Sequence, residues 1–376
     1  MATSYRGCGV VTDNGWPQDD RAQTPGDAMT QRHESPERVR HDENEGRTAK
    51  MIEVIKPGLE TGVQDFPGRY GFWEQGFPPS GPFDMWSFRL ANLLVGNAAE
   101  AAGLEIQFLG PTLRFEGDTV IALTGATMVP TLNGAPMPQW ESVAVPAGAV
   151  LETGFARTGA RAYLTVAGGI DTAPVLGARS TFHMAGVGGM EGHALKEGQR
   201  LPVGAGDGTP GRRVRLDCRP PIPSENRWRI EVVAGPNDDW IDEAGQRMFL
   251  ESAWTLQARS NRTGFRLTGP EWTFAARATE KGPEHGEHPS NILDHGYPVG
   301  AVNLCGQTPI ILVNDGPSAG GFINPYTVPS AAFWKLAQSK PNDIYRFNLV
   351  TVTEAQAARR AIDALCTESS LEAAAS

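Results

Sequence analysis

Apolar residues fall in short runs between Gly and Pro, and no long stretch recurs at every third or fourth position. Ile52–Ile55, Thr119–Thr124, Ser142–Val145 and Ala162–Ala167 read as strands in the first half. Arg229–Val233, Pro309–Val313 and Asp343–Val352 read as strands in the second. One helix stands out at Met85–Leu94, where Trp86, Leu90, Leu93 and Leu94 form a single stripe. Asp84 is placed to cap its start, and Gly96-Asn97 stops it. Shorter helices are expected at 241–250, 330–338 and 353–365.

The pattern divides the chain. Residues 12–50 contain no Leu, Ile or Phe, too little apolar surface to offset the entropy of ordering. We therefore expect 1–50 to be a disordered extension. Two origins stay open: a flexible tail, or an over-extended reading frame with Met51 as the start. A first β-rich domain is expected over 51–204 and a second over 227–366. The Gly-, Pro- and Arg-rich stretch 205–226 reads as a linker, and 367–376 as a loose tail.

Composition narrows the class. Gly (44) and Pro (29) make up just under a fifth of the 376 residues, against an ordinary share of roughly 12 %. No collagen period runs through them, and breakers this dense exclude a helical bundle. The expected fold class is mainly β with a few short helices. A net charge of -10 argues against nucleic acid as a partner. No apolar run approaches the roughly 18 residues of a membrane helix, and no signal-peptide core is visible. Cys8, Cys218, Cys305 and Cys366 are scattered without a CxxC pair, so a reducing cytoplasm is the default and no metal site is expected.

No P-loop or HExxH motif is present. Gly186-Val-Gly-Gly189 follows no strand-to-helix pattern and reads as a turn. Three loops carry more polar chemistry than a turn needs. The first holds Gln64, Asp65, Arg69, Ser80 and Asp84 beside Phe72 and Trp73; its bland alternative is turn chemistry with a helix cap. The second is Asn261-Arg-Thr-Gly-Phe-Arg266, where the fixed donor fork of Arg262 suits a carboxylate or carbonyl, or simply meets solvent. The third runs from Lys281 through His285, His288, Ser290, Asn291, Asp294 and His295 to Asp315-Gly-Pro-Ser318 and Gly320-Gly321. It offers a base and oxyanion donors, or a polar surface loop. Its three histidines sit on a Gly/Pro loop without helical ligand spacing.

The same segments carry a resemblance. Ile55-Lys-Pro-Gly-Leu59, Val63-Gln-Asp65, Pro67-Gly-Arg69, Gly76-Phe-Pro-Pro-Ser-Gly-Pro82, Phe88-Arg-Leu-Ala-Asn92 and Leu94-Val-Gly-Asn97 are similar to the biotin-dependent carboxyltransferase family. This is the family of the allophanate hydrolase subunit 2 domain and the KipA-like proteins. The likeness continues through Leu104-Glu-Ile106, Gly110-Pro-Thr-Leu-Arg-Phe115, Gly168-Gly-Ile-Asp171 and Ser260-Asn-Arg-Thr-Gly264 to Pro325 and beyond. It covers about 52–350. His288-Pro-Ser-Asn-Ile-Leu-Asp294 and Asp315-Gly-Pro-Ser318 look like the branch that forms the carboxyltransferase part of urea carboxylase and urea amidolyase.

The resemblance implies cyclophilin-like β-barrels and transfer of a carboxyl group from carboxybiotin to urea or another amide-type nitrogen. By that implication Asp294 or Asp315 orients or deprotonates the nitrogen, and Asn291 and Arg262 hold oxygens. Gln64, Asp65 and Ser80 complete the cleft from the first domain, with Asn261 and Ser318 as further substrate contacts. No biotinyl-lysine motif and no ATP-grasp pattern is visible. Carboxybiotin is therefore expected on a partner carrier, with ATP used by a partner biotin carboxylase. An allophanate hydrolase subunit 1 or KipI-like protein would complete the enzyme. Two alternatives remain: a C-type 5-oxoprolinase subunit acting in ATP-dependent lactam opening, and a non-catalytic KipA-like regulatory protein.

Overall fold

A computed structural model describes residues 50–374. The expectation of disorder for 1–50 falls, Lys50 apart, outside these residues. Within them the strong sequence signals become the elements foreseen. Met51–Lys56 buries only Ile52 and Val54 fully, the alternation of a strand with one face on a core. It lies in a six-stranded sheet ordered Arg200–Pro202, Met51–Lys56, Thr112–Phe115, Val150–Glu152, Thr131–Leu132 and Ala135–Pro136.

A second, five-stranded sheet runs Glu60–Gln64, Gly103–Gln107, Thr158–Val166, Thr119–Thr127 and Ser142–Val145, with every pair antiparallel. Its two long central strands are buried on both faces. Helix Met85–Leu94 packs on both of them. Asp84 caps this helix by accepting from Ser87 N at 3.0 Å.

The second half closes a seven-stranded barrel in the order Arg227–Ala234, Tyr326–Thr327, Ala301–Cys305, Thr308–Leu312, Gly264–Thr268, Trp254–Leu256 and Ile344–Leu349. Arg227–Ala234 pairs in parallel with Ile344–Leu349, and this contact closes the ring. The barrel is filled by aromatics: Phe249 stacks on Phe347 at 4.3 Å and on Tyr326 at 4.5 Å, beside the fully buried Trp254. A Cβ on Gly269 would stand 2.3 Å from the Trp254 ring, so only glycine fits there. Helices Glu243–Glu251 and Val352–Leu365 carry side-chain caps at Asp242 and Thr351.

Phe83, Trp86, Leu90 and Leu94 share one apolar cluster with Trp228, Ile230, Phe333 and Trp334. The first helix is thus part of the barrel's core as well as its own sheet's. The mainly β class with a closed barrel is as expected.

Two segments differ. Part of the stretch read as a linker, Arg212–Val214, is a strand paired with Leu371–Ala373, which lies in the expected loose tail. Val214 and Cys218 are buried, and Arg213 meets Glu372 at 2.9 Å. A few well-placed apolar residues anchor a Gly/Pro-rich stretch that composition alone reads as open. Among the described residues no helix is long and apolar enough to cross a membrane.

Candidate active site

The two Pro-Gly loops of the first half lie backbone to backbone. A Cβ on Gly68 would stand 2.3 Å from Pro79 O, and one on Gly81 2.7 Å from Pro67 O. Both glycines are left-handed, at φ 104° and 76°. Asp65 fixes the outer loop: its carboxylate accepts from Ser180 Oγ at 2.5 Å and from Arg179 N at 2.6 Å. Gln64 Nε2 donates to Thr181 O at 3.3 Å. Arg69 is buried and donates to Ser180 O at 2.8 Å. Burial lowers its pKa, against the pull of Asp65 and Asp315.

These loops rest on a buried ionic network. Arg262 Nε donates to Asp315 Oδ2 at 2.9 Å, Nη1 to Glu105 Oε1 at 2.6 Å, and Nη2 to Gly81 O at 2.8 Å. Arg262, Glu105 and Asp315 are each about 5 % exposed or less. Burial alone would raise the Glu105 carboxyl, but Arg262 and Arg161 outweigh it and hold the pKa below its usual range. Glu105 Oε2 also accepts from Phe83 N at 2.7 Å and Tyr163 OH at 3.0 Å. The Arg262 pKa is instead raised, the two carboxylates overcoming its desolvation. Arg262 and Asp315, expected separately as an oxyanion holder and a base, are therefore each other's partner.

Next to this network Asp84 is fully buried. Burial pushes its pKa up to about 6, against hydrogen bonds from Ser87 and Gln338, and Glu105 adds to the rise. Gln338 Nε2 reaches its carboxylate at 2.8 Å, while Gln338 Oε1 accepts from Ala160 N at 3.1 Å. A carboxyl more easily protonated in the fold than in the open chain stabilises most in acid. Its contribution is complete below the ordinary value of 3.8 and is lost as pH rises through about 6. The loss amounts to at most about 3 kcal/mol. Asp84→Asn is expected to flatten this part of the stability curve in denaturant unfolding between about pH 4 and 7; an unchanged slope would rule the effect out.

The third loop becomes a two-stranded ribbon, Asn291–Gly296 against Ala319–Phe322. Its histidines face separate partners. His285 Nδ1 accepts from Leu293 N at 3.3 Å, His288 Nδ1 meets Ser290 Oγ at 2.9 Å, and His295 Nε2 meets Phe322 O at 3.0 Å. Lys281 Nζ donates to the carbonyls of His288 and Asn291 and so ties the loop to itself. The side chain of Asn291 lies over Gly286, where a Cβ would stand 2.8 Å from its Nδ2. Asp294 is exposed, and a Cβ on Gly321 would stand 3.1 Å from its Oδ1.

Gly321 lines an open cleft of about 470 Å³ together with Asn261, Tyr297, Asn303, Leu312 and Phe322. Asn261 is the exposed turn residue whose Oδ1 accepts from Thr263 N at 2.9 Å. Ser318 is half-buried, and its carbonyl accepts from Tyr297 N at 2.8 Å. Asn261 lines this cleft, whereas Asp294 and Ser318 are neighbours of residues that do, Asp294 of Gly321 and Ser318 of Pro317 and Ala319. Gln64 and Arg262 instead border a notch of about 10 Å³, room for a single water at most. Ser80 lies at a separate cavity with Asn314.

Sequence reasoning missed Glu105, Asn314 and Gln338. The one signal for Glu105 was an acid inside the apolar run Gly-Leu-Glu-Ile.

A β-sheet half joined to a closed barrel, with polar loops meeting over a buried ionic network, defines a carboxyltransferase-type fold. The chain belongs to the family described as carboxyltransferase domain, subdomain A and B, whose model matches residues 75–349. It is 41 % identical over 303 residues to urea amidolyase of Saccharomyces cerevisiae, covering 79 % of this chain and 16 % of that protein. It is 36 % identical over 316 residues to the C-type 5-oxoprolinase subunit of Escherichia coli, covering 82 % and 94 %. The solved urea carboxylase of Kluyveromyces lactis superposes with a TM-score of 0.80 at 39 % identity, over 86 % of this chain and 30 % of that one. The chain thus spans less than a third of the urea enzymes it matches.

Proposed function

We propose that this chain is the carboxyltransferase component of a multi-subunit, cytoplasmic, urea carboxylase-type enzyme. Its acceptor is urea or a related amide-type nitrogen. The observation that carries this reading is the exposed Asp294 carboxylate beside Gly321, a residue that lines an open cleft of amide and apolar groups.

That lining suits a ureido ring, with Ile310, Leu312 and Phe322 as apolar wall and Asn261 and Asn303 as polar contacts. Carboxybiotin, delivered by a partner carrier, supplies the activated carboxyl group. Asp294 would orient the acceptor nitrogen and take its proton as the new N–C bond forms, while the carboxyl's bond to the biotin ring nitrogen breaks and that nitrogen leaves with the electron pair. Asn291, Asn261 and Ser318 border the approach to it. Arg262 and Asp315 act by position: their charges are committed to each other and to Glu105, and they hold the loop at Gly81. Gln64, Asp65 and Ser80 shape the adjoining loops. ATP is consumed by the biotin carboxylase partner, and a KipI-like protein forms the other half of the transferase.

One observation favours a second reading. The match to the C-type 5-oxoprolinase subunit extends over 94 % of that protein's length. The chain is to be combined with a KipI-like protein, biotin carboxylase and biotinylated carrier, and bicarbonate fixation followed. Fixation that requires both urea and ATP is the expected result. ATP hydrolysis that requires 5-oxoproline and no biotin would move the chain to the second reading.

A further inference from the structure

Arg227–Ala234 and Ile344–Leu349 alternate inward and outward along the barrel wall. Trp228, Ile230, Val232, Tyr345 and Phe347 point inward and are buried. Arg227, Arg229 and Arg346 are exposed on the outer face. With Trp228, Ala253 and Ile344 they line a hollow of about 550 Å³ that shares no residue with the cleft at Gly321. The parallel register sets Arg229 directly opposite Arg346, with Arg227 at the next outward position of its strand.

Like charges directly opposite each other across two strands destabilise a sheet. Among the described residues none of the three arginines makes an ion pair. Two acids beside them are committed elsewhere. Both oxygens of Glu231 accept from Lys335 Nζ, at 2.7 and 2.8 Å, and Asp343 Oδ2 accepts from Trp228 Nε1 at 2.7 Å. Arg346 Nη1 donates to the backbone carbonyl of Glu251 at 2.8 Å, which leaves its charge uncancelled. In a chain of net charge -10 this is a basic face that the protein's own acids do not neutralise. A repulsion retained at a cost in stability marks a surface that serves binding.

The form of the face selects the partner. Both strands belong to a closed barrel, and Lys335 Nζ already covers Arg229 O at 2.9 Å. A partner therefore meets side chains and does not add a strand. Tight sites for a single phosphate are built from backbone N–H groups of a loop or a helix N-terminus. This hollow is lined instead by strand residues and by Ala253, just beyond the C-terminal end of helix Glu243–Glu251. Outward side chains of one strand repeat at about 6.6 Å, and those of an extended segment lying across the face repeat at the same interval. We propose that this face docks an acidic segment of a partner protein, with Asp or Glu at alternate positions set against Arg227, Arg229 and Arg346. The guanidinium forks supply charge-assisted hydrogen bonds to those carboxylates.

The test is calorimetric titration of the full chain with a short peptide alternating Glu and Ser, at low and at physiological salt. The same peptide with Gln for Glu, and pyrophosphate, serve as comparisons. The Glu peptide is expected to bind, more weakly as salt rises, and the Gln peptide is not. Arg229→Gln with Arg346→Gln should weaken binding about tenfold or more, the effect of losing one or two charge-assisted hydrogen bonds. Arg229→Gln alone removes one of two opposed charges, so it is expected to melt at the parent's temperature or above, which separates lost binding from lost folding. Arg114→Gln, on the first half and paired with Glu53, should leave binding unchanged. Equal binding of the Gln peptide, unchanged affinity in the double variant, or no binding of the Glu peptide overturns the proposal. Pyrophosphate bound more tightly than the peptide would assign the face to a small anion instead. Self-association of the parent that the double variant abolishes would assign it to a second copy of the chain. None of these readouts depends on carboxyl transfer.

Discussion

Arg262→Met is expected to destabilise the fold by about 3–5 kcal/mol, the range for breaking a buried ion pair from one side. Glu105 and Asp315 would be left as buried carboxylates without their principal cation, and Gly81 O would lose its donor. Burial would then raise the Glu105 carboxyl, so the loss is largest at neutral pH and shrinks in acid as it takes up a proton. Arg262→Lys is expected to recover only part of the loss. One ammonium cannot reproduce a planar fork that reaches Asp315, Glu105 and a carbonyl together. Neutralising the partners as well, in Arg262→Met with Glu105→Gln and Asp315→Asn, should restore stability relative to the single variant. Denaturant unfolding at pH 7 and pH 5 measures each step. A loss of under about 1 kcal/mol, the range of exposed pairs, would show that the network does not hold the loops.

The difference between what was legible and what was not follows from distance along the chain. Helix Met85–Leu94 was readable to the residue because its stripe and its cap are local signals. The strand at Ser142–Val145 was readable for the same reason. The ionic network was not. Asp315 and Arg262 are 53 positions apart, and Glu105 and Arg262 are 157 apart. In the sequence each stands alone, as a charge looking for a ligand, although its partner is another part of the chain. The pairing of Arg212–Val214 with Leu371–Ala373 was hidden likewise, since neither segment carries the periodicity of a strand by itself. Asp84 stands between these cases: its cap to Ser87 is local, whereas its bond from Gln338 and its proximity to Glu105 come from the tertiary fold.

Asp294→Asn is expected to lower the turnover of urea-dependent carboxyl transfer by about 10²–10⁴-fold, the usual contribution of a positioned general base. Its melting curve should stay unchanged, because Asp294 is exposed and makes no ion pair among the described residues. That combination separates a chemical role from a structural one. Asp315→Asn is expected to lower stability and activity together, since it takes a charge from Arg262. The KM for urea should move little in Asp294→Asn if the carboxylate acts on the proton and not on ground-state binding. Gly321→Ala probes the same group without changing its charge, because the added methyl would stand 3.1 Å from Asp294 Oδ1 and 3.0 Å from Ile292 O. A carboxylate displaced from the rim should slow transfer in proportion to its misplacement. Full activity in Asp294→Asn would remove it from the reaction. The search for the base would then turn to the other openings that buried polar groups border, among them the cavity at Ser80 and Asn314.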